Sequence, residues 1–311
     1  MTKVTHLNKK WLSISIGIPA HNEEASIGYA IRSIAQQKRR SWMLNNVFVI
    51  CDGCSDHTSG KVISLRRKYK WITLIDDKKH LGKTARLNQL HKLNKSDILI
   101  YMDADTVLGN DSIENLVQHF INPNVGMACG NKIPTPPRTL VEKLVDVWYE
   151  YFYLIRKSLS HGDNVYNATS CYTAIRGVVA KKFRYPASLL SSGAYSYFEI
   201  KKRNLSFVFV AEAKIYFRSP ATLSEYYLQI TRNTEDQKYC AKAFGKSIYR
   251  YYLISWAFKV KALLQMIEKE HWAMPLSILF NIYTNWRAAS MKEGKKTFWE
   301  VVHSTKQPIK I

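Results

Sequence analysis

Two aspartates separated by a single residue, Asp103 and Asp105, follow the apolar run Ile98–Met102. A short run of this kind is typical of a buried β-strand, so both carboxylates fall where the chain leaves the predicted strand. Two carboxylates at such a position can converge on one cation, and these hard ligands suit Mg²⁺ or Mn²⁺ that also bind substrate phosphates. A divalent-metal site and a solvated turn with two acids are the two interpretations.

A third aspartate, Asp52, follows the β-branched and aromatic run at residues 47–50. Its carboxylate can accept hydrogen bonds from a nucleobase or a ribose, or it can form an Asx turn, a role that suits Asp56 better. The segment Pro19-Ala-His-Asn-Glu23 follows the first predicted strand, so its backbone can clamp a base while Glu23 accepts hydrogen bonds. The alternative is a helix N-terminus, where acids interact favourably with the helix dipole.

A lysine, Lys83, lies beside the glycine turn His80-Leu-Gly82. A cation next to a flexible turn can neutralise a diphosphate, because charge-assisted hydrogen bonds to phosphate are strong. The segment lacks the spacing of a P-loop. In a chain this basic, the alternative is that Lys83 is simply a solvated surface lysine. Cys51-x-x-Cys54 has the spacing of a redox or zinc pair, but no second pair accompanies it, so we favour neither function.

The elements that must position these side chains alternate between strand and helix patterns. Strand-like runs occur at residues 13–18, 47–50, 72–75, 98–102 and 125–129, with helical spacing of apolar residues at 27–34, 87–93 and 113–120. Such alternation predicts an α/β fold with a mostly parallel sheet, in which ligands bind beyond the carboxyl ends of the strands. Asp52, Asp103 and Asp105 all lie at predicted strand ends, so we expect them at one edge of the sheet.

The middle of the chain carries two further signals. Thr139-Leu-Val-Glu142 has the spacing of a capping box, which predicts a helix from there to about residue 160. Residues 206–216 have the pattern of a strand region with a turn near Ala211-Glu212. From Leu223 onward the pattern is helical.

The net charge of the chain indicates which classes of partner it can bind. Lys and Arg total 46 against 24 Asp and Glu in 311 residues, a formal net charge of +22. This excess favours nucleic acid, acidic lipid headgroups or phosphorylated ligands, and without a helix-turn-helix, zinc-finger or RNA-binding signature nucleic acid is not the expected partner. Five scattered cysteines and an N-terminus without an apolar leader predict a cytoplasmic protein. No uncharged apolar run reaches the roughly 20 residues of a membrane-spanning helix.

Taken together, these segments resemble family 2 glycosyltransferases of the GT-A fold over about residues 12–235. The likeness rests on residues 18–23, 52–58, 82–88 and 103–105. Each segment alone is weak evidence for the family, but their order and spacing together make the match specific. The resemblance implies a Rossmann-like, mostly parallel sheet flanked by helices. It also implies an inverting, metal-dependent transfer of a sugar from a nucleotide diphosphate sugar, a UDP-sugar, to a glycan or lipid-linked acceptor.

The resemblance implies roles for individual residues as well. Asp103 and Asp105 carry the Mg²⁺ or Mn²⁺ that bridges the diphosphate, and the first loop and Asp52 hold the nucleotide. With the lysine of the glycine turn added, the expected donor-binding residues are Pro19, Ala20, His21, Glu23, Asp52, Lys83 and Asp103.

The second half of the chain matches the family less closely. Gln229 and Arg232 match the Gln-x-x-Arg-Trp motif of polysaccharide-synthase-like members, with Asn233 where tryptophan is expected. Inverting members place a catalytic aspartate before that helix, but residues 190–195 contain no carboxylate. Glu199 lies further along the predicted helix that contains residues 190–195, and it completes the expected catalytic set with Gln229 and Arg232.

Alternatives to this catalytic set stay open. Asp163, in the preceding loop, is a second candidate for the base, and Glu199 is otherwise a surface acid beside Lys201 and Lys202. The missing acid also favours a rival function, a catalytically impaired sugar-nucleotide-binding protein. A nucleotidyltransferase of related fold would need a glycine-rich phosphate loop, which residues 17–28 do not supply.

The C-terminal part, residues 236–311, mixes Tyr and Trp with Lys and Arg in helical patterns. Helices of this composition can lie in a membrane interface, and packing against the catalytic domain is the alternative. We therefore expect a GT-A domain at 1–235 and amphipathic helices at 236–311. An anionic membrane surface, the inner face of the cell membrane, is the corresponding candidate partner.

Overall fold

The computed structural model describes residues 11–187, 189, 191–290 and 304–309, with only the backbone of 232–235 and 288–290. Within these residues the chain forms one mixed sheet of eight strands with helices on both faces. The strands are β1 (Leu12–Ala20), β2 (Trp42–Asp52), β3 (Ile72–Asp77), β4 (Ile98–Met102), β5 (Val107–Leu108), β6 (Val125–Pro134), β7 (Tyr172–Arg176) and β8 (Ser206–Phe217). The helices are α1 (Ile27–Ala35), α2 (Thr58–Lys68), α3 (Lys83–Leu93), α4 (Ser112–Val117), α5 (Leu140–Ser158), α6 (Gly177–Ala180), α7 (Gly193–Lys202), α8 (Leu223–Phe244), α9 (Trp256–Glu270) and α10 (Ala273–Ser290).

The sheet runs in the order β3-β2-β1-β4-β7-β6-β8-β5. β3, β2, β1 and β4 are parallel neighbours, as are β6 and β8, whereas β7 is antiparallel to both β4 and β6. The predicted α/β class with a mostly parallel sheet is therefore confirmed. The strand pattern missed β5 and β7, which are short and add the antiparallel pairings.

The central strand β4 shows why its apolar run is continuous. Ile100 packs with Ile31 of α1 in the core on one face of the sheet. Leu99 and Tyr101 pack with Leu87 of α3 in the core on the other face. All five residues of β4 are buried. A parallel strand covered by helices on both faces needs apolar side chains on both, so the usual alternation with polar residues disappears.

Helix α5 begins at the capping box that the sequence predicted. The backbone N–H of Glu142 donates to Thr139 Oγ1 at 3.1 Å, and the N–H of Thr139 donates to Glu142 Oε2 at 3.2 Å. This reciprocal pair satisfies two of the backbone donors that a helix start leaves unpaired. The helix ends at Ser158, close to the predicted end.

The turn expected near Ala211-Glu212 is wrong, because β8 continues through these residues. Gly130 of β6 pairs with Val210, but the next residue, Asn131, pairs with Lys214. The three residues between Val210 and Lys214 form a bulge, which bends a strand without ending it. Ala211 and Glu212, the small and charged residues that indicated a turn, lie in that bulge.

The C-terminal helices pack on α5 at the side of the sheet domain. Val147 of α5, Met266 of α9 and Met274 of α10 share a small buried cluster. Helix α8 runs continuously through residue 235, so the expected domain boundary falls inside a helix. Among the described residues, no helix combines the length and apolar character needed to cross a bilayer.

Candidate active site

A cavity of about 320 Å³ lies at the carboxyl ends of β1, β2 and β4. These strands are parallel neighbours, so their carboxyl ends meet at one edge of the sheet. The structure brings together here every residue expected to bind the donor or the metal. The cavity is lined by Pro19, Ala20, His21, Glu23, Asp52, Lys83, Asp103 and Asp105, and also by Gln229.

Asp52 is 3% exposed, and its carboxylate is held from several sides. Its Oδ1 accepts hydrogen bonds from the backbone N–H of Leu81 at 2.8 Å and from Arg86 Nε at 2.6 Å. Its Oδ2 accepts from the backbone N–H of Gly82 at 2.8 Å and lies 2.9 Å from His80 Nδ1. Gly82 has a φ of +88°, which glycine adopts without steric cost. Asp52 therefore fixes the glycine turn at the cavity edge, and its direct contact with a nucleotide stays a prediction.

Arg86, which the sequence pattern did not single out, supports this arrangement from within the protein. It is 2% exposed. Beyond its bond to Asp52, its Nη1 donates to Asp77 Oδ2 at 2.8 Å and its Nη2 donates to the backbone oxygen of Lys79 at 2.6 Å. The guanidinium thus ties the end of β2, the end of β3 and the start of α3 into one unit. Its only sequence signal was its place in the segment 82–88.

Asp56 forms the predicted Asx turn. Its Oδ1 accepts from the backbone N–H of Thr58 at 3.0 Å, at the start of α2. Its Oδ2 accepts from the backbone N–H of Glu24 at 3.0 Å, and Glu24 Oε2 accepts in return from the N–H of His57 at 2.9 Å. These bonds tie the loop after β1 to the loop after β2.

Besides Asp52, three carboxylates line the cavity, those of Glu23, Asp103 and Asp105. Burial raises the pKa of Glu23. Burial, together with the negative charges of Glu23 and Asp103, raises the pKa of Asp105 to about 7. Neighbouring acids in a partly desolvated site disfavour one another's ionised form. A bound cation would favour the ionised forms of these acids.

The two aspartates fit a divalent metal by their chemistry. Asp103 forms an ion pair with Lys83, and Asp105 follows on the same edge of the sheet. Mg²⁺ commonly binds one or two carboxylates, while substrate phosphates and water complete its shell. In the part of the chain that the structure describes, no group of three or more His, Cys, Asp or Glu forms a complete metal cage. The donor set thus fits a metal that binds together with a phosphorylated ligand.

A lysine from the far end of the chain, Lys306, enters the same cavity. Its Nζ lies 2.9 Å from Glu23 Oε1. It also donates to the backbone oxygens of His21 and Asn22, the latter at 3.0 Å. Lys306 thus occupies hydrogen-bond acceptors of the loop at residues 19–23, which is expected to hold the nucleobase of the donor.

The short turn Ser304–Lys306 is docked on the start of α8. The backbone N–H of Ser304 donates to Glu225 Oε1 at 3.0 Å, and the N–H of Ala221 donates to Ser304 Oγ at 3.0 Å. Ile309 is buried. No local pattern signals this docking, because Lys306 and the loop it contacts lie at opposite ends of the sequence.

Basic side chains complete the cavity wall. Lys83, Lys132, Arg218 and Lys306 all line it. Ammonium and guanidinium groups bind phosphate oxygens through charge-assisted hydrogen bonds. The site therefore pairs carboxylates that can bind a cation with cations that can bind a diphosphate.

Comparison with known protein families assigns the chain. Residues 15–183, more than half of its length, match the profile of "Glycosyl transferase family 2". The chain belongs to glycosyl transferase family 2. The resemblance seen in the sequence is confirmed, and the matched region contains Asp52, Asp103 and Asp105 but not α8.

Two curated relatives of this family 2 protein align with less than half of it. It is 23% identical over 137 residues to the poly-beta-1,6-N-acetyl-D-glucosamine synthase of Staphylococcus aureus (strain COL), covering 44% of this chain and 32% of the relative. It is 25% identical over 146 residues to the beta-monoglucosyldiacylglycerol synthase of Trichormus variabilis, covering 44% and 31%. The alignment thus spans about a third of the length of these relatives.

Two solved structures share the fold of this family 2 protein. The mannosyltransferase PcManGT from Pyrobaculum calidifontis, in complex with GDP-Man and Mn²⁺, superposes with a TM-score of 0.59 at 16% identity, covering 91% of this chain and 76% of that one. S. aureus TarS 1-349 in complex with UDP superposes with a TM-score of 0.51 at 16% identity, covering 71% and 64%. At this identity the likeness shows the fold, and the predicted GT-A fold is confirmed.

Glu199, the expected catalytic base of this family 2 protein, is not among the described residues that line the cavity. It is 7% exposed and pairs with Arg203 one turn later, so the alternative interpretation as a surface acid is wrong. Asp163, the second candidate, lies 2.6 Å from Lys201 Nζ and accepts from the hydroxyl of Tyr197 at 3.0 Å. The structure therefore brings neither acid to the donor site.

A different carboxylate, that of Asp236 on α8, lies behind the cavity wall. Its Oδ1 accepts from the backbone N–H of Ser191 at 2.9 Å, and Ser191 lines the cavity, as does Gln229. The sequence pattern missed Asp236 because the family places its acid before this helix. The side chain of Arg232 lies outside the described part of the structure, so its role stays a prediction.

Proposed function

We propose that this protein transfers a sugar from a nucleotide diphosphate sugar, with UDP as the nucleotide, to a glycan or lipid-linked acceptor. The transfer inverts the anomeric carbon and uses Mg²⁺ or Mn²⁺. The observation that carries the proposal is the convergence of Glu23, Asp103 and Asp105 with Lys83 and Lys306 on one cavity of a family 2 fold. A metal and basic side chains both stabilise the negative charge of a departing diphosphate, and this cavity can supply both.

The donor is held by groups from three strand ends. Residues 19–23 offer backbone groups and the Glu23 carboxylate to the nucleotide, and Asp52 positions the turn beside it. Asp103 and Asp105 bind the metal, which when bound acts as a Lewis acid on the departing diphosphate. Lys83, which forms an ion pair with Asp103, stabilises the negative charge that grows on the diphosphate.

The transfer step needs a base for the acceptor hydroxyl. The hydroxyl oxygen bonds to the anomeric carbon while the bond from that carbon to the diphosphate oxygen breaks, and the base takes the hydroxyl proton. Such a base contributes about 10²–10⁴-fold to the rate. We propose Glu199, Gln229 and Arg232 as the catalytic set, with Arg232 facing the leaving diphosphate. Glu199 would have to exchange its ion pair with Arg203 for the acceptor.

The names of the relatives support these donor and acceptor classes. One curated relative is a synthase of poly-beta-1,6-N-acetyl-D-glucosamine, a glycan, and another is a synthase of beta-monoglucosyldiacylglycerol, a lipid. GDP-Man with Mn²⁺ is bound to the Pyrobaculum mannosyltransferase, and UDP is bound to TarS. These complexes favour a nucleotide sugar and a divalent metal for this chain.

Calorimetry with UDP and Mn²⁺ tests the donor site. We expect Asp105→Ala to abolish the Mn²⁺-dependent part of UDP binding, because one of two carboxylate ligands is removed. Glu212→Ala, an exposed acid on β8, is the matched control and should bind UDP as the unaltered chain does. Equal UDP affinity of Asp105→Ala and the control would refute the metal site.

A second candidate function is a catalytically impaired binder of nucleotide sugars. The observation that favours it is the absence of a carboxylate at Ser191, Ser192 and Gly193, where the family pattern places the base. Hydrolysis and transfer assays with a panel of UDP-, GDP- and dTDP-sugars separate the two functions. Metal-dependent binding without turnover on any donor would favour the impaired binder, and turnover would exclude it.

We also propose that residues 1–235 form the GT-A domain and that 236–311 attach it peripherally to the inner, cytoplasmic face of the cell membrane. The net charge of +22 supports an anionic surface as partner. Packing of α9 and α10 on α5 supports a helical region that moves with the catalytic domain.

A further inference from the structure

Helix α10 turns its polar stripe toward the protein. Ser277, Asn281 and Thr284 recur at helical spacing, and each is at most 2% exposed. Ser277 Oγ donates to the backbone oxygen of Leu144 in α5 at 2.7 Å, and Asn281 Oδ1 accepts from the hydroxyl of Tyr226 in α8 at 2.5 Å. The helix is thus docked through buried hydrogen bonds, which the low local dielectric strengthens.

The opposite stripe of α10 is apolar and faces outward. Leu279, Tyr283 and Trp286 are offset by two residues from the three buried polar ones, which places them about 200° around the helix. Leu279 is 62% exposed and Trp286 is 65% exposed. Surface helices of soluble proteins show the reverse arrangement, with the apolar stripe inward. This outward face is therefore suited to an apolar environment.

The surroundings of this face are aromatic and basic. Trp272 is exposed in the turn between α9 and α10, and Trp256 and Leu264 of α9 are also exposed. Residues 246–287 contain six Lys or Arg against two Glu, and α10 contains no acidic residue. The two glutamates lie near the end of α9, where Glu270 is paired with Lys143. The region thus combines apolar contact area with positive charge.

We propose that the outward face of α10, formed by Leu276, Leu279, Tyr283 and Trp286 with Trp272 before it, lies in the interface of an anionic lipid membrane. Trp and Tyr favour the headgroup level, aliphatic side chains reach the acyl boundary, and lysines meet anionic headgroups. A second copy of the chain is a poorer occupant, because two molecules of net charge +22 repel each other. The proposal deepens the proposed function and rests on it in one respect, since a lipid-linked acceptor would be presented at this interface.

Vesicle flotation with the full chain tests this face. The lipids are phosphatidylcholine with phosphatidylglycerol, and phosphatidylcholine alone, each at low and high salt. The test variant is Leu279→Ser with Trp286→Ser. The matched control is Met43→Ser with Ile63→Ser, two side chains that are each 50% exposed on other elements. Circular dichroism and Mn²⁺-dependent UDP binding show whether each variant keeps its fold and donor site.

We expect the chain and the control variant to float with the anionic vesicles. The α10 variant should show a partition coefficient lower by at least about tenfold, because two apolar contacts with lipid are removed. Three results would overturn the proposal: no flotation of the unaltered chain, flotation that the α10 variant retains, or a dimer in solution that the α10 variant dissociates. If the unaltered chain binds UDP with Mn²⁺ but does not float, this proposal fails and the donor site stands. If it floats but does not bind UDP, the donor site fails and this proposal stands.

Discussion

Replacing Arg86 with methionine should destabilise the protein, because it removes the cation that pairs with the buried carboxylate of Asp52. The guanidinium is 2% exposed and donates to Asp52 at 2.6 Å, to Asp77 at 2.8 Å and to the backbone of Lys79 at 2.6 Å. Methionine fills a similar volume but provides neither the charge nor the donors. Asp52, which is 3% exposed, then keeps its bonds to two backbone N–H groups and loses its main countercharge.

The magnitude follows from that burial. Removing one partner of a buried ion pair costs about 3–5 kcal/mol, and the remaining backbone donors place Arg86→Met near the lower limit, at about 3 kcal/mol. Domains are stable by roughly 5–15 kcal/mol, so the loss is a fifth or more of the free energy of unfolding. For a chain of this size it corresponds to a fall in Tm of roughly 5 °C. UDP binding should weaken as well, because the turn at Gly82 loses its anchor.

Thermal unfolding at neutral pH measures this loss, with Arg67→Met on the exposed face of α2 as the matched control. The double variant Asp52→Asn with Arg86→Met removes both charges. Its loss of stability should be smaller than the sum of the two single losses, by on the order of 1 kcal/mol or more. A fall in Tm for Arg86→Met no larger than that of the control would refute the reasoning, as would strict additivity in the double variant.

Three further predictions concern the cavity and the core. Lys306→Met removes the cation that pairs with Glu23, so calorimetry without nucleotide should show Mn²⁺ binding strengthened roughly tenfold; unchanged or weaker Mn²⁺ binding contradicts this. Burial lowers the pKa of His91 from 6.5 to about 4, so in that window the unfolded chain binds a proton that the folded chain excludes. Stability to urea should therefore fall as pH drops from 6.5 to 4, and His91→Gln should flatten the fall. Glu199→Gln should lower the transfer rate by about 10²–10⁴-fold, because it removes the proposed base. Asp236→Asn should lower it less, because Asp236 acts only through Ser191 of the cavity wall; an unchanged transfer rate in Glu199→Gln would refute the proposed base.

The donor half of the site was predictable because its residues lie at strand ends. A parallel strand buried on both faces leaves a continuous apolar run, and the first polar residue after it lies at the ligand-binding edge. Asp52 and Asp103 were found in this way, from local pattern alone, and the structure places both on one cavity. The continuous apolar runs therefore predict both the strands and the position of the side chains that follow them.

Other parts of the site depend on contacts between distant segments, which local pattern does not encode. Lys306 reaches the cavity because Ser304 is bound to Glu225, and nothing around Lys306 distinguishes it from the other lysines of this basic chain. Glu199 was selected because it follows residues 190–195, where the family places its acid, on the same predicted helix, but in the structure it pairs with Arg203. Strand β7, Tyr172–Arg176, was missed because Thr173 and Arg176 leave it without a continuous apolar run.

The pairing of charges in the cavity bears on how the proposed donor and metal would bind. Lys83 is paired with Asp103, and Lys306 with Glu23. A cation that binds alone must separate these carboxylates from their lysines, and a diphosphate that binds alone must draw the lysines away and leave the acids uncompensated. When both bind, the metal would be held by Asp103 and Asp105 and the phosphates by Lys83 and Lys306, so each ligand would compensate part of the charge that the other separates. Each ligand therefore lowers the cost of binding the other, and by linkage the two effects are equal.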